Sequence, residues 1–241
     1  MSGARRVLLE PAFLLHHRPW SDTSRILDLL TRDHGRVTLF ARGVRRGRSP
    51  LAGVLQPFIP LLVSWSGKAD GGQLTGAELA GECRALPPAR LMSGFYLNEL
   101  LLRLVPREEA QPGIFGAYAV ALEALAGDQG EQVALRLFEK MLLEQLGYGL
   151  ELGHEAGAGE PLAAEGYYHF RPGHGLWRAA AGEGAYRGAD LQALAAGRLE
   201  TPESLRAAKR LLREALADCL EGRGLRSRDV MLALRREETE R

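Results

Sequence analysis

Polar and apolar positions change rhythm once along this chain. Through residue 81 the spacing is that of short strands with turn signals between them. Arg6–His16 is apolar and extended, and Pro11 within it predicts a bulge or an edge position. Ser24–Thr31 follows, and Asp33-His34-Gly35 is a tight turn into Arg36–Ala41. In that third strand Val37, Leu39 and Ala41 point one way while Thr38 and Phe40 point the other. Leu51–Phe58 is short and irregular. Ile59–Ser66 carries Trp65 and turns through Gly67–Gly72 into Gln73–Glu82. Five strands in roughly 80 residues, with a break between the third and fourth, predict a small closed barrel. An SH3-like barrel fits almost as well.

Pro87-Pro88 marks the change of regime, and the period becomes helical. Helices are predicted over 89–105, 112–126 and 131–146. In the first, Leu91, Phe95, Leu102 and Val105 stack on one side, and Leu97, Leu101 and Leu104 cover another. Only a strip with Glu99 and Arg103, an i,i+4 pair, is charged, so this helix is expected in the middle of a bundle. Gly147 is the expected C-cap of the third. Residues 151–165 read as a loop. A hairpin is predicted over 167–180, around Pro172-Gly173-His174-Gly175, then helices over 189–196 and 201–221. Thr201 as N-cap, Pro202 at the first position and Glu203 in the first turn fix the start of the last of these. A short helix and a charged tail close the chain. The class is α+β, with a barrel domain at 1–81 and a helical domain with a small β-hairpin insertion at 82–241.

The net charge of +1 hides an asymmetry. Residues 1–80 hold 11 Arg and Lys against 6 Asp and Glu, while the remainder holds 20 against 24. Much of the excess lies just past the third strand, where Arg42, Arg45, Arg46 and Arg48 are spaced by Gly43 and Gly47. Four guanidinium groups on one loop repel one another unless an anion lies across them, and each offers a flat fork of donors that suits phosphate. A solvated surface loop is the ordinary alternative.

Catalytic chemistry is hard to find. Adjacent His16 and His17 on a strand face opposite ways and cannot chelate one ion. His154, His169 and His174 lack a defined fourth ligand. Cys83 and Cys219 are far apart, without neighbours at metal-ligand spacing. There is no phosphate loop, nucleophile elbow or H-E-x-x-H helix. The most apolar run, Leu97 to Val105, is too short for a bilayer, and the N-terminus lacks a secretory pattern. A cytoplasmic protein without metal or cofactor is expected.

Several short motifs occur in a telling order: His17-Arg-Pro-Trp-Ser-Asp-Thr-Ser24, Gly35-Arg36-Val37, Ala41-Arg42-Gly43, Leu55-Gln-Pro-Phe58, Tyr96-Leu-Asn-Glu-Leu-Leu101, Leu137-Phe-Glu139, Leu146-Gly-Tyr-Gly149, Leu205-Arg-Ala-Ala-Lys-Arg210 and Leu225-Arg-Ser-Arg228. In these the chain resembles the bacterial RecO family, from about Val7 to Arg236. The resemblance implies an N-terminal OB-fold, a helical domain behind it and no enzyme activity. It implies a DNA repair and recombination mediator that binds single- and double-stranded DNA and anneals complementary strands. With RecR, and in some lineages RecF, such proteins help load RecA onto strands coated by single-stranded-DNA-binding protein, docking on that protein's acidic, Phe-terminated tail. The implied location is the cytoplasm, at the nucleoid during repair. Many relatives hold a zinc with four cysteines. Here His154 stands near where the first would be and no cysteine pairs follow, which places the chain in a zinc-less branch.

Under this resemblance Arg42, Arg45, Arg46 and Arg48 form a phosphate track, extended by Arg36 and, further out, by Arg25 and Arg32. Covering three to four phosphates gives log K against log salt a slope of roughly −2 to −3 on single strands. Trp20, Trp65 and Phe40 are candidate stacking residues, with Trp65 expected in the core and Trp20, in a turn, at the surface. A second basic group comprises Lys209, Arg210, Arg213, Arg223, Arg226 and Arg228, with a solvated face as its alternative. For the acidic tail the candidates are Arg136 with Leu142 and Leu143. Arg136→Ala is expected to weaken tail binding and spare DNA binding. The bland alternative for Arg136 is a surface pair with Glu139, worth about 0.3 kcal/mol. The competing class is an OB-like protein-interaction module without DNA affinity, which binding to bare oligonucleotide discriminates.

Overall fold

The computed structural model describes residues 6–44, 49–81, 84–127, 130–148 and 150–239. They fall into two compact units, Met1–Gly127 with Ser227–Arg241, and Asp128–Arg226.

The first unit is built on a closed five-stranded barrel. Its strands are β1 (Arg6–Trp20), β2 (Ser24–Thr31), β3 (Gly35–Ala41), β4 (Pro60–Ser66) and β5 (Asp70–Leu79), in the order β1-β2-β3-β5-β4. All neighbours are antiparallel except β3 and β5. This is the OB-fold, and it excludes the SH3-like alternative. Period two decides the interior: Leu27, Leu29, Val37, Leu39, Ala41, Leu61, Val63 and Trp65 all point inward and are buried. Between β3 and β4, where the sequence looked irregular, lies a one-turn helix, α1 (Pro50–Val54).

β1 is long because it is bulged. Its pairing slips between Val7 and Glu10 against β4, and between Leu14 and His16 against β2. The second slip makes Leu15 the extra residue, and every outward position after it changes parity. Cross-strand register then puts Phe13 and Leu30 on the outer face at one end, and Arg18, Trp20, Ile26 and Phe40 at the other.

Helices cover one end of that face. The ring of Phe13 meets Phe115 and Tyr118 of α3 (Pro112–Ala126), both at 5.1 Å between centroids. α2 (Leu91–Leu104) packs on β1 and α3 and does not sit in the middle of a bundle. Its Leu91 and Phe95, expected inside, are exposed, and Phe95 caps the ring of Phe58. The short parallel β3–β5 pairing is supplemented by the segment after α2: Glu108 N donates to Arg36 O at 3.0 Å. Gly35 permits this approach. Its φ is +68°, and a Cβ there would lie 2.0 Å from the carbonyl oxygen of Glu109. The C-terminal helix α7 (Arg226–Thr239) belongs to the same unit through Ser227, whose N and Oγ donate to Glu99 Oε2 at 2.8 and 2.7 Å.

In the second unit α6 (Pro202–Cys219) packs against α4 (Glu131–Gln145) and α5 (Gly188–Ala195). Thr201 accepts from Ser204 N and closes a capping box at the start of α6. The predicted hairpin is part of a three-stranded antiparallel sheet, β7 (Gly175–Ala179), β6 (Tyr167–Arg171) and β8 (Tyr186–Arg187). Its third strand has two residues, too few for a period to be read.

Candidate nucleic-acid interface

The half of the barrel's outer face that the helices leave bare lies around Trp20 and Phe40. Their rings meet edge to face, 5.6 Å between centroids at 63°. Trp20 is 54% exposed, and Trp65 at 1% is core, as the sequence suggested. Arg18 and Arg42 are exposed beside the pair, and no ion pair engages either among the described residues. Val44, buried in the core, anchors the start of the basic loop. The remaining arginines predicted for that loop, Arg45, Arg46 and Arg48, lie outside the described residues.

Below the aromatic pair the same face is neutralised from within. Asp28 is buried and accepts from Thr38 Oγ1 at 3.0 Å, with His16 Nδ1 3.7 Å from its other oxygen. Arg107 Nη1 reaches Asp70 at 3.0 Å and Thr38 at 3.2 Å. Arg36 belongs to this cluster and not to an open track: its Nε donates to Val105 O at 3.1 Å. Burial first, and then the neighbouring charge of Arg107, lower its pKa. Arg32 is occupied by Asp33, and Arg25 is half-buried. Burial chiefly, and then the neighbouring Arg25 and His16, lower the pKa of His17.

The second basic group is mixed. Arg213, Arg226 and Arg228 are exposed, and Lys209 is half-buried. Arg210 lies over the ring of Tyr186 at 3.9 Å and donates to Gly184 O and Ala185 O at 3.2 and 2.7 Å. That ties α6 to the segment preceding β8. Arg223 pairs with Glu221.

The candidates for tail binding are interior. Leu142 and Leu143 have no exposed surface and Arg136 is 7% exposed. The pair of Arg136 with Glu139 expected on a solvated face is therefore a correction: it is buried, with Nη2 and Oε1 at 2.5 Å. Such a pair is held by low dielectric and costs far more to break than a surface one.

Among the described residues no three His, Cys, Asp or Glu side chains converge as a metal site, and no helix is long and apolar enough to cross a membrane. His154 instead lies 3.4 Å from Glu151 Oε1, and His174 contacts Pro172 O at 3.0 Å. Two features escaped sequence reasoning. Arg18 became an outer-face residue only through the bulge at Leu15. Arg107 lies far from the strands it joins, and no local signal marks it.

Known proteins match the chain over nearly its full length. Residues 6–82 match the family model described as recombination protein O N terminal, and residues 87–229 match recombination protein O C terminal. The chain is 46% identical over 225 residues to the DNA repair protein RecO of Methylococcus capsulatus, covering 93% of each chain. It is 47% identical over 234 residues to that of Nitrosococcus oceani, covering 96% of this chain and 95% of the other. With the RecO of Photobacterium profundum it shares 42% identity over 225 residues, 93% of this chain and 95% of the other.

Proposed function

Because the chain belongs to the RecO family of DNA repair and recombination proteins, a family of non-enzymatic mediators, we propose that it binds single- and double-stranded DNA and anneals complementary strands. With RecR, and RecF where present, it then helps load RecA onto strands coated by single-stranded-DNA-binding protein. The observation that carries this is the bare end of the OB barrel, where Arg18 stands exposed on β1 and Arg42 stands exposed just ahead of an arginine-rich stretch of sequence. Contacts of guanidinium with phosphate carry no sequence information, which suits a protein that must pair any two complementary strands.

Residues 1–81 are the proposed DNA module and 82–241 the partner module, with Lys209, Arg213, Arg226 and Arg228 as further phosphate contacts. The acidic tail of the coating protein is assigned to the surface of α4, where Arg136, Leu142 and Leu143 act as buried support. The proposed location is the cytoplasm, at the nucleoid during repair.

Annealing of two complementary oligonucleotides, bare and coated, tests this directly. Wild type is expected to anneal both, and Arg45→Ala/Arg46→Ala to lose annealing while staying folded. Failure of wild type to bind bare oligonucleotide at low salt would instead identify the barrel as a protein-interaction module.

A further inference from the structure

The proposed phosphate contacts leave the aromatic pair on the bare face without a use. Trp20 ends β1, and the turn beyond it is tight: Ser21 takes φ +57°, a left-handed conformation uncommon for a residue with a side chain, and Ser24 pairs opposite Trp20. The turn thus fixes the indole at the rim of the face. An edge-to-face contact with Phe40 steadies it, yet more than half of its surface stays open to water. Phe40 is itself pinned, since Gln73 Nε2 donates to its carbonyl at 2.9 Å. An indole is among the larger apolar surfaces a protein can bury, and here it is held out in solvent on a rigid mount.

Cations flank the pair. Arg18 precedes Trp20 by two residues on β1, and Arg42 follows Phe40 by two, in the turn just past the end of β3. Two residues of strand span about 6–7 Å, within reach of phosphates on either side of one base. The acids on this face, Asp28 and Asp70, are already engaged by Thr38, His16 and Arg107, which leaves exposed Asp22 in the turn as the one acid at the rim among the described residues.

We infer that Trp20, steadied by Phe40, is a stacking platform for an unpaired base, with Arg18 and Arg42 on its flanking phosphates. The inference rests on the DNA-binding reading above and names the form of substrate the bare face selects. Bases in a duplex are stacked on one another and offer only their edges, whereas an unpaired base offers a ring face of any sequence. The face therefore favours single strands before pairing and releases the base once a duplex forms.

The test uses the full chain with three ligands of equal length: oligothymidine, the same strand without bases, and a duplex. Trp20→Ala is expected to weaken binding to oligothymidine roughly 5- to 150-fold, the range for one stacked base, and to leave the abasic strand and the duplex within about twofold. Trp20→Phe should keep most of the affinity and lose the quenching of tryptophan fluorescence that oligothymidine produces in wild type. Unchanged binding of Trp20→Ala to oligothymidine, or equal loss on all three ligands, overturns the platform while DNA binding stands. Absence of wild-type binding to all three overturns DNA binding and the platform with it.

Discussion

Asn98 Nδ2 donates to the carbonyl of Leu15 at 2.8 Å, and Leu15 is the bulged residue of the β1–β2 pairing. The other end of the same amide accepts from the Tyr118 hydroxyl. One buried side chain thus links the barrel wall, α2 and α3, and fixes the bulge that turns Arg18 and Trp20 outward. Asn98→Leu removes both of these buried bonds, the one to the Leu15 carbonyl and the one from the Tyr118 hydroxyl. Each buried polar group left unsatisfied costs about 1–3 kcal/mol, so a loss of about 2 kcal/mol or more is expected, against about 1 kcal/mol for Tyr118→Phe. Denaturant unfolding of the two variants checks the order; equal losses would place the stabilisation elsewhere.

Period two was enough to find the barrel interior, because a strand with one buried face writes its pattern locally. The bulge at Leu15 was not legible, and with it went the parity of Arg18. Trp20 was readable as a surface residue because Pro19 and Ser21 mark a turn. Glu99 shows the limit more sharply. Its i,i+4 pairing with Arg103 was visible and is present at 2.8 Å. Its second oxygen holds Ser227, 128 residues away, and no spacing rule reaches that far. For Arg136 the partner was legible and the burial was not, since burial depends on what packs over α4.

Gly35 holds two constraints at once, a left-handed φ and contact with the Glu109 backbone. Gly35→Ala is expected to cost about 3 kcal/mol or more, because strain and overlap act together. Gly43 also has a positive φ but meets nothing within 4 Å, so Gly43→Ala should cost less, about 1 kcal/mol. Thermal unfolding of the pair separates overlap from backbone strain.

The Arg136–Glu139 pair makes an unusual prediction for the second unit. Arg136→Ala leaves a buried carboxylate without its cation and should cost about 3–5 kcal/mol. The double variant Arg136→Met/Glu139→Leu should recover most of this, since an apolar pair of similar volume replaces the charges without a desolvation penalty. If acidic-peptide binding is lost in Arg136→Ala but restored in the double variant, Arg136 supports the tail site; if it stays lost at restored stability, the guanidinium is itself the contact.

Alkali should loosen both units. Burial raises the pKa of Tyr118 above the ordinary phenol value, burial and then the bond to Glu214 raise that of Tyr186, and burial pushes the Cys219 thiol up to about 11. Each folded value lies above its unfolded one, so the unfolded chain loses its protons first. The stabilisation is complete below the unfolded values, about 9 for the thiol and 10 for the phenols, and is lost as pH rises beyond them. Unfolding midpoints should fall from about pH 9 upward, and Tyr118→Phe should flatten the part of the decline that belongs to the first unit.

Arg42 and Arg36 stand six residues apart in the sequence, and the structure gives them opposite duties. Arg42 is exposed without an acidic partner among the described residues, whereas Arg36 is half-buried and bonded to Val105 O. A phosphate contact contributes about 0.7 to the slope of log K against log salt on a single strand. Arg42→Ala is therefore expected to make that slope shallower by about 0.7, with little change in stability. Arg36→Ala should lower the unfolding midpoint and leave the slope unchanged, because its guanidinium is spent on the backbone that follows α2. Titrations of oligothymidine at several salt concentrations, read beside unfolding curves of the same variants, distinguish the two. A slope that changes with Arg36 and not with Arg42 would move the track off the bare end of the barrel and onto the cluster around Asp28.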